Sequence, residues 1–157
     1  MGDADLVRWF LDNGANPNAA CDRGLAPTSL AVKAASFSII RLLLGRGRDI
    51  QLGRLLHYVA MREHADRLEV LEFLLQRGLP VDNALYRGPR TGEGTALHFA
   101  AGRGFIELVE RLIEEGADPL VKDPTGQLAL HWAENCGHNA VASYLRSLTN
   151  LRLGTAR

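Results

Sequence analysis

Along this chain, apolar residues recur as pairs set four positions apart, and a glycine follows each set within a few residues. The sets are Leu6-Val7 with Phe10-Leu11, Ile39-Ile40 with Leu43-Leu44, Val70-Leu71 with Leu74-Leu75, and Leu108-Val109 with Leu112-Ile113. Four-residue spacing places every member of a set on one helical face, so each predicts an amphipathic helix. The closing segments are Asp12-Asn13-Gly14-Ala15-Asn16, Gly45-Arg46-Gly47-Arg48-Asp49, Gln76-Arg77-Gly78-Leu79-Pro80 and Glu114-Glu115-Gly116-Ala117-Asp118. Their glycines stand where a left-handed helix C-cap belongs.

A second, shorter element precedes these helices. Thr95-Ala96-Leu97-His98-Phe99-Ala100-Ala101 recurs as Leu128-Ala129-Leu130-His131-Trp132-Ala133. Looser copies are Leu55-Leu56-His57-Tyr58-Val59-Ala60 and Ala26-Pro27-Thr28-Ser29-Leu30-Ala31. Leu97 to Leu130 spans 33 residues, and so does Gly14 to Gly47. A fixed period of this length marks a stacked repeat, whose units bury their apolar faces against one another.

The register also shows where the repeat deviates. From cap glycine to the next Leu-His position is 14 residues in Gly116 to Leu130, but 9 in Gly47 to Leu56 and 19 in Gly78 to Leu97. One connecting finger is therefore cut short and the next is lengthened by about five residues, over Asn83 to Glu93. Leu56 to Gly78 is 22 residues against 19 for Leu97 to Gly116, which puts three extra residues near Arg62-Glu63-His64-Ala65-Asp66.

Gly94-Thr95-Ala96-Leu97-His98-Phe99-Ala100-Ala101, followed by Gly104, Glu107-Leu108-Val109 and Gly116-Ala117-Asp118-Pro119, resembles the ankyrin-repeat family. So does Asp123-Pro124-Thr125-Gly126 through His131, Gly137 and His138. The resemblance implies an all-α solenoid with β-hairpin or loop fingers, of about four full repeats plus an N-terminal half repeat. The expected layout is one array over residues 1–150, with a half repeat at 2–18 and repeats at about 19–51, 52–82, 83–120 and 121–148. Residues 151–157 are expected to form a flexible tail. Arg146 falls where the other outer helices place Leu11, Leu44, Leu75 and Ile113, as suits a capping unit. At the other end, Leu6, Phe10 and Leu11 are expected to be half covered, because the first outer helix has no inner partner. Either the chain is a piece of a longer array or that end packs on something else, such as a second copy.

Composition narrows the partner. In 157 residues, 18 Lys plus Arg balance 18 Asp plus Glu, so no global field draws the chain to nucleic acid or an anionic membrane. The two cysteines, Cys21 and Cys136, fit neither a disulfide framework nor a metal-ligand spacing, which points to reduced thiols in an intracellular protein, cytoplasmic or nuclear. The acidic start Met1-Gly2-Asp3-Ala4-Asp5 is unlike a signal peptide, and no apolar run approaches the roughly 20 residues a membrane helix requires. A soluble chain is expected.

Catalytic chemistry is set aside, and no cofactor or metal is expected. His57, His98 and His131 recur because the repeat recurs, and in the family this histidine hydrogen-bonds neighbouring backbone, with Thr95 placed to join it. His131, Cys136 and His138 cluster but lack a fourth zinc ligand. Neither a phosphate-binding glycine loop with its lysine nor a nucleophile elbow is present. The resemblance instead implies a non-catalytic protein-interaction module that binds through finger tips and the exposed side of inner helices, within a larger regulatory or adaptor protein. Carried onto matching positions, the contact residues are Asp22, Arg23, Leu25 and Lys33; Tyr58, Met61 and Arg62; Tyr86, Arg87, Arg90, Phe99 and Arg103; and Thr125, Gln127, Trp132 and Asn135. More of the charges on these elements are basic than acidic, so the expected partner is another protein, with an acidic segment. The alternative is a structural unit that dimerises through its uncapped N-terminal repeat.

Overall fold

The paired apolar positions become helices wherever the structure describes them. A computed structural model describes residues 3–17, 19, 26–46, 55–82 and 94–154, with side chains as far as Leu151. In chain order the described helices are α1 (Asp3–Asp12), α2 (Pro27–Ala34), α3 (Phe37–Arg46), α4 (Leu55–Ala60), α5 (Arg67–Leu75), α6 (Ala96–Gly102), α7 (Ile106–Glu114), α8 (Ala129–Asn135) and α9 (Asn139–Gly154). Among the described residues there is no strand. The finger between α7 and α8 is a tight turn, in which the Asp123 N–H donates to the Gln127 carbonyl at 2.8 Å. Short inner helices alternate with longer outer ones, as the two sequence elements require.

The helices form two compact units, Met1–Leu79 and Pro80–Arg157. In the first, α2 packs on α3 and α4, α4 on α5, and α1 on α3. Its core takes Ile40, Leu43 and Leu44 from α3, Val70, Leu71 and Leu74 from α5, and Val32, Leu55, Leu56 and Val59 from the inner helices. In the second, α6 packs on α7 and α8, and α9 covers α8 and touches α7. Leu108, Val109 and Leu112 of α7 meet Leu97, Ala100 and Ala101 of α6 and Val141, Ala142 and Leu145 of α9 in one buried seam. Each fully buried aliphatic side chain contributes about 1.5–3 kcal/mol, and the alanines let inner helices approach closely.

Helix α1 is the exception. It buries no residue, and Leu6, Trp9 and Phe10 remain 48%, 52% and 51% exposed. Half coverage of this helix was expected from the missing inner partner.

Glycines close the outer helices as anticipated. Gly14, Gly78 and Gly116 have φ of 87°, 82° and 95°, in the left-handed region open to glycine, while Gly47 lies outside the described residues. The inserted residues of the third repeat also fall where the register put them. Six residues (61–66) separate α4 from α5, whereas three (103–105) separate α6 from α7 and three (136–138) separate α8 from α9.

The chain's end departs from expectation. Helix α9 continues through Gly154 instead of giving way to a tail at 151. The run Asn150-Leu151-Arg152-Leu153 contains no helix breaker, and leucine and arginine are good helix formers, so the helix propagates to the next glycine. Within α9, Leu145 takes the buried position, and Arg146 points outward to pair with Glu134.

Candidate functional site

The Thr-Ala-Leu-His element fixes the geometry of the second unit. His98 is buried, and its Nε2 lies 3.1 Å from the Gln127 carbonyl oxygen. A carbonyl only accepts, so Nε2 carries the proton and Nδ1 is left as the acceptor. The Thr95 backbone N–H at 3.1 Å and the Thr95 hydroxyl at 2.9 Å both reach Nδ1. One neutral imidazole thus caps the start of α6 and ties it to the finger before α8. Burial lowers its pKa below the ordinary 6.5, against the opposing effects of the Gln127 bond and of Asp123 and Asp82. His131 repeats the local half of the device, accepting from the Leu128 N–H at 2.9 Å, but it is exposed, and Leu128 has no hydroxyl to add.

Asp123 organises the finger. Its Oδ1 accepts from the Thr125 N–H at 2.8 Å, the Thr125 hydroxyl at 2.7 Å and the Gln127 N–H at 2.8 Å. Its Oδ2 accepts from the Trp132 indole Nε1–H at 2.8 Å. Burial by itself would raise this carboxyl's pKa. The donations from Thr125, Gln127 and Trp132 overcome that and hold it down at about 2. Sequence reasoning placed Asp123 in the Asp123-Pro124-Thr125-Gly126 finger motif without giving its carboxylate a structural role. Its spacing from Thr125 and Gln127 is that of an aspartate closing its own turn, a signal that was available; the indole bond was not.

Trp132 comes to rest half buried. Its ring meets the His98 ring edge-on at 5.5 Å and the Phe99 ring at 5.4 Å. It lies over Gly102, where an added Cβ would stand 3.3 Å from the ring. Phe99 is half buried, and Arg103 is exposed at the end of α6 with its guanidinium 5.5 Å from the Phe105 ring. Asn135 donates from Nδ2 to Gln127 Oε1 at 3.3 Å, and Thr125 is exposed at the finger tip. Phe99, Trp132, Gln127 and Asn135 are thus drawn into one chain of contacts on the inner helices, with Arg103 and Thr125 beside it.

In the first unit Lys33 is exposed on α2, and Tyr58 and Met61 are half buried at α4. Arg62 is a correction: it is 0% exposed and is not a surface contact. Its Nε and Nη2 donate to the two carboxylate oxygens of Asp66, both at 2.7 Å, and its Nη1 donates to the Val32 carbonyl at 2.9 Å. Val32 is in the last turn of α2, whose carbonyls have no helical partner, so the inserted segment carries a cation back to cap that helix. Asp22, Arg23, Leu25, Tyr86, Arg87 and Arg90, with the long finger from Asn83 to Glu93, lie outside the described residues.

The clustered histidines also have structural partners. His138 Nε2 lies 3.1 Å from the Gly102 carbonyl, and its ring packs on Gly104. Cys136 is an exposed thiol, and no group of three or more His, Cys, Asp or Glu among the described residues could share a metal ion. None of the described helices is long and apolar enough to cross a membrane.

Helix pairs stacked on a buried seam, with left-handed glycine caps and a buried histidine bonded to the backbone of the next repeat, define a helical repeat protein. The chain belongs to the ankyrin-repeat family, whose profile, Ankyrin repeats (3 copies), matches residues 56–152. It is 32% identical over 147 residues to Ankyrin repeat domain-containing protein 63 of Homo sapiens, covering 87% of this chain and 37% of that protein. It is 35% identical over 107 residues to the B-cell lymphoma 3 protein homolog of Mus musculus, covering 64% of this chain and 22% of that one. Against the Nuclear factor NF-kappa-B p105 subunit of Gallus gallus it is 36% identical over 106 residues, covering 64% of this chain and 10% of that protein. The chain therefore spans little more than a third, or less, of these curated relatives. Ankyrin repeats are protein–protein interaction modules.

Proposed function

We propose that this chain is a non-catalytic segment of a larger regulatory or adaptor protein of the cytoplasm or nucleus, and that it holds a protein partner on its finger tips and inner-helix faces. The described contact residues are Lys33, Tyr58 and Met61 in the first unit and Phe99, Arg103, Thr125, Gln127, Trp132 and Asn135 in the second. The finger residues Asp22, Arg23, Leu25, Tyr86, Arg87 and Arg90, outside the described residues, complete the set. The observation that carries the reading is the Phe99–Trp132 pair, two aromatic rings left half buried on helices that enclose Leu97 and their alanines. Aromatic and arginine side chains held in place at a surface supply most of the energy in protein interfaces. An acidic segment suits the basic residues of these elements, and such steering weakens with salt. Affinity capture at low and high salt tests the reading. Specific partners should be retained at low salt and reduced at high salt, and W132A/R103E should lose them. Capture unaffected by both salt and substitution counts against this face.

A second reading, self-association, is favoured by one observation. Leu6, Trp9, Phe10 and Leu30 are about half exposed, beside a groove of about 490 Å³ lined by Val7, Leu11, Ala31 and Ile39. Exposed apolar surface of this kind marks contact sites. Sedimentation at micromolar concentration decides it, since a monomer removes a dimer through this face.

A further inference from the structure

We propose that copies of this chain join through unlike faces of their outer helices: the arginine–aromatic face of α3 and α5 on one copy takes the glutamate face of α7 on the next. This goes beyond both readings above, since it uses neither the inner helices and fingers nor the groove beside α1.

The basic face is an ordered row of side chains. Phe37 of α3 meets Phe73 of α5 edge-on, with ring centroids 5.1 Å apart and planes at 80°. Each ring is half buried, and each has an exposed arginine four residues farther along the chain. The Arg77 guanidinium lies 3.6 Å from the Phe73 centroid, and its Nη1 donates to the Phe73 carbonyl at 3.3 Å. Arg41 lies 5.9 Å from the Phe37 centroid. A guanidinium laid on a ring keeps the N–H groups along its edge for a carboxylate, and it has less rotamer freedom left to lose on binding. Helix α3 contains no acidic residue. Glu69 and Glu72 stand on α5, but among the described residues neither Arg41 nor Arg77 is paired with a carboxylate.

The complementary chemistry is on the chain itself. Helix α7 exposes Glu107 and Glu110, three residues apart, while its own Arg111 is taken by Glu114 at 3.2 Å and Glu115 at 2.9 Å. Half-buried Tyr144 of α9 lies near them: burial first, then the charges of Glu110 and Glu114, raise its pKa above the ordinary 10.0. Carboxylates beside a phenol ring thus face guanidiniums beside phenyl rings. Exposed ion pairs contribute only about 0–1 kcal/mol each, so the rings add hold and the charges choose the partner.

Charge segregation also sets the symmetry. A two-fold contact would lay each face on its own mate, arginine against arginine or glutamate against glutamate, which is repulsive. Only a heterologous contact brings unlike faces together, and such contacts grow into rings or open chains. With 18 basic and 18 acidic residues, one copy does not repel the next as a whole.

The test is sedimentation velocity of the full chain across micromolar concentrations at low and high salt. At low salt the parent should grow beyond a dimer as concentration rises, and high salt should weaken the association by about tenfold or more. R41A/R77A and E107A/E110A, each with unchanged circular dichroism, should each associate at least about tenfold more weakly than the parent. Mixed in equal amounts, the two should form a one-to-one dimer that grows no further, because each supplies the face the other lacks. That recovery requires both variants to be folded, so a folding defect cannot imitate it. A parent that stays monomeric at low salt, association indifferent to either variant, or a mixture no larger than its components overturns the proposal. Association lost in W9S/L30S but kept in R41A/R77A overturns it in favour of the groove beside α1. A monomeric parent that binds a short Glu/Tyr peptide through Arg41 and Arg77 overturns it in favour of a foreign acidic partner.

Discussion

The Arg62–Asp66 pair offers a sharp test of how the third repeat is held together. Arg62 is 0% exposed and Asp66 27% exposed, with two N–O distances of 2.7 Å and a third donation to Val32 O at 2.9 Å. Replacing Asp66 by Asn leaves the guanidinium buried without its counter-charge, a change that typically costs about 3–5 kcal/mol. Replacing Arg62 by Met keeps an unbranched apolar stem but strands both Asp66 and the α2 carbonyl, for about 2–4 kcal/mol. The double variant R62M/D66N removes both charges and should lose far less than the sum, giving a coupling energy of about 2 kcal/mol or more. Against a typical domain stability of about 5–15 kcal/mol, each single change is large. Urea unfolding followed by circular dichroism reads it as a shift of midpoint at constant slope. The Arg62 hydrogen bonds hold the Asp66 carboxyl below its ordinary pKa of 3.8, overcoming the smaller, opposing effect of burial. The stability it contributes is present above that value and lost as pH falls below it. D66N should therefore flatten the acid side of the stability curve. Single variants within about 0.5 kcal/mol of the parent, or strict additivity in the double, would refute the assignment of Arg62 to the interior.

Other outcomes follow from the second unit. Asp123, with a pKa near 2 against an ordinary 3.8, contributes about 2 kcal/mol at neutral pH, lost as pH falls from about 4 toward 2. D123N should remove that amount and shift the Trp132 indole N–H resonance in a proton–nitrogen spectrum; an unmoved resonance contradicts the bond. Because His98 has a lowered pKa, its contribution is complete above pH 6.5 and declines as pH falls through the folded-state pKa. Melts from pH 7.5 to 5.5 should lose stability that H98N, already weaker at pH 7.5, does not lose. At Gly104, φ is +71° and an added Cβ would stand 2.5 Å from His138 Nδ1, whereas Gly137 at φ +77° has nothing within 4 Å. G104A should therefore cost more than G137A, which should lose about 1 kcal/mol from backbone strain alone. Equal losses in thermal denaturation would show that the His138 contact is not limiting.

The order of inner and outer helices, the faces they bury and the glycine caps were all legible, because helical periodicity and left-handed backbone are local properties. Ile40, Leu44, Val70, Leu74, Leu108 and Leu112 are buried where the pairing put them. The three-residue insertion near Arg62 was legible as a length but not as a structure. The family resemblance placed Arg62 on a binding face, since an isolated arginine gives no sign of which carbonyl across the unit it will reach.

From the sequence alone came the repeat, its register, the histidine that recurs within it and the absence of a net charge. A 33-residue period fixes which residues are equivalent, and equivalence is independent of distance in space. Tertiary structure decided which equivalent residues differ in role. His98 is enclosed by the α8 finger while His131 stands exposed, Asp123 becomes a buried hub and Arg62 an internal cap. Burial and hydrogen-bond partners depend on what packs beside a residue, and in a stack of units that neighbour lies about 30 residues away along the chain.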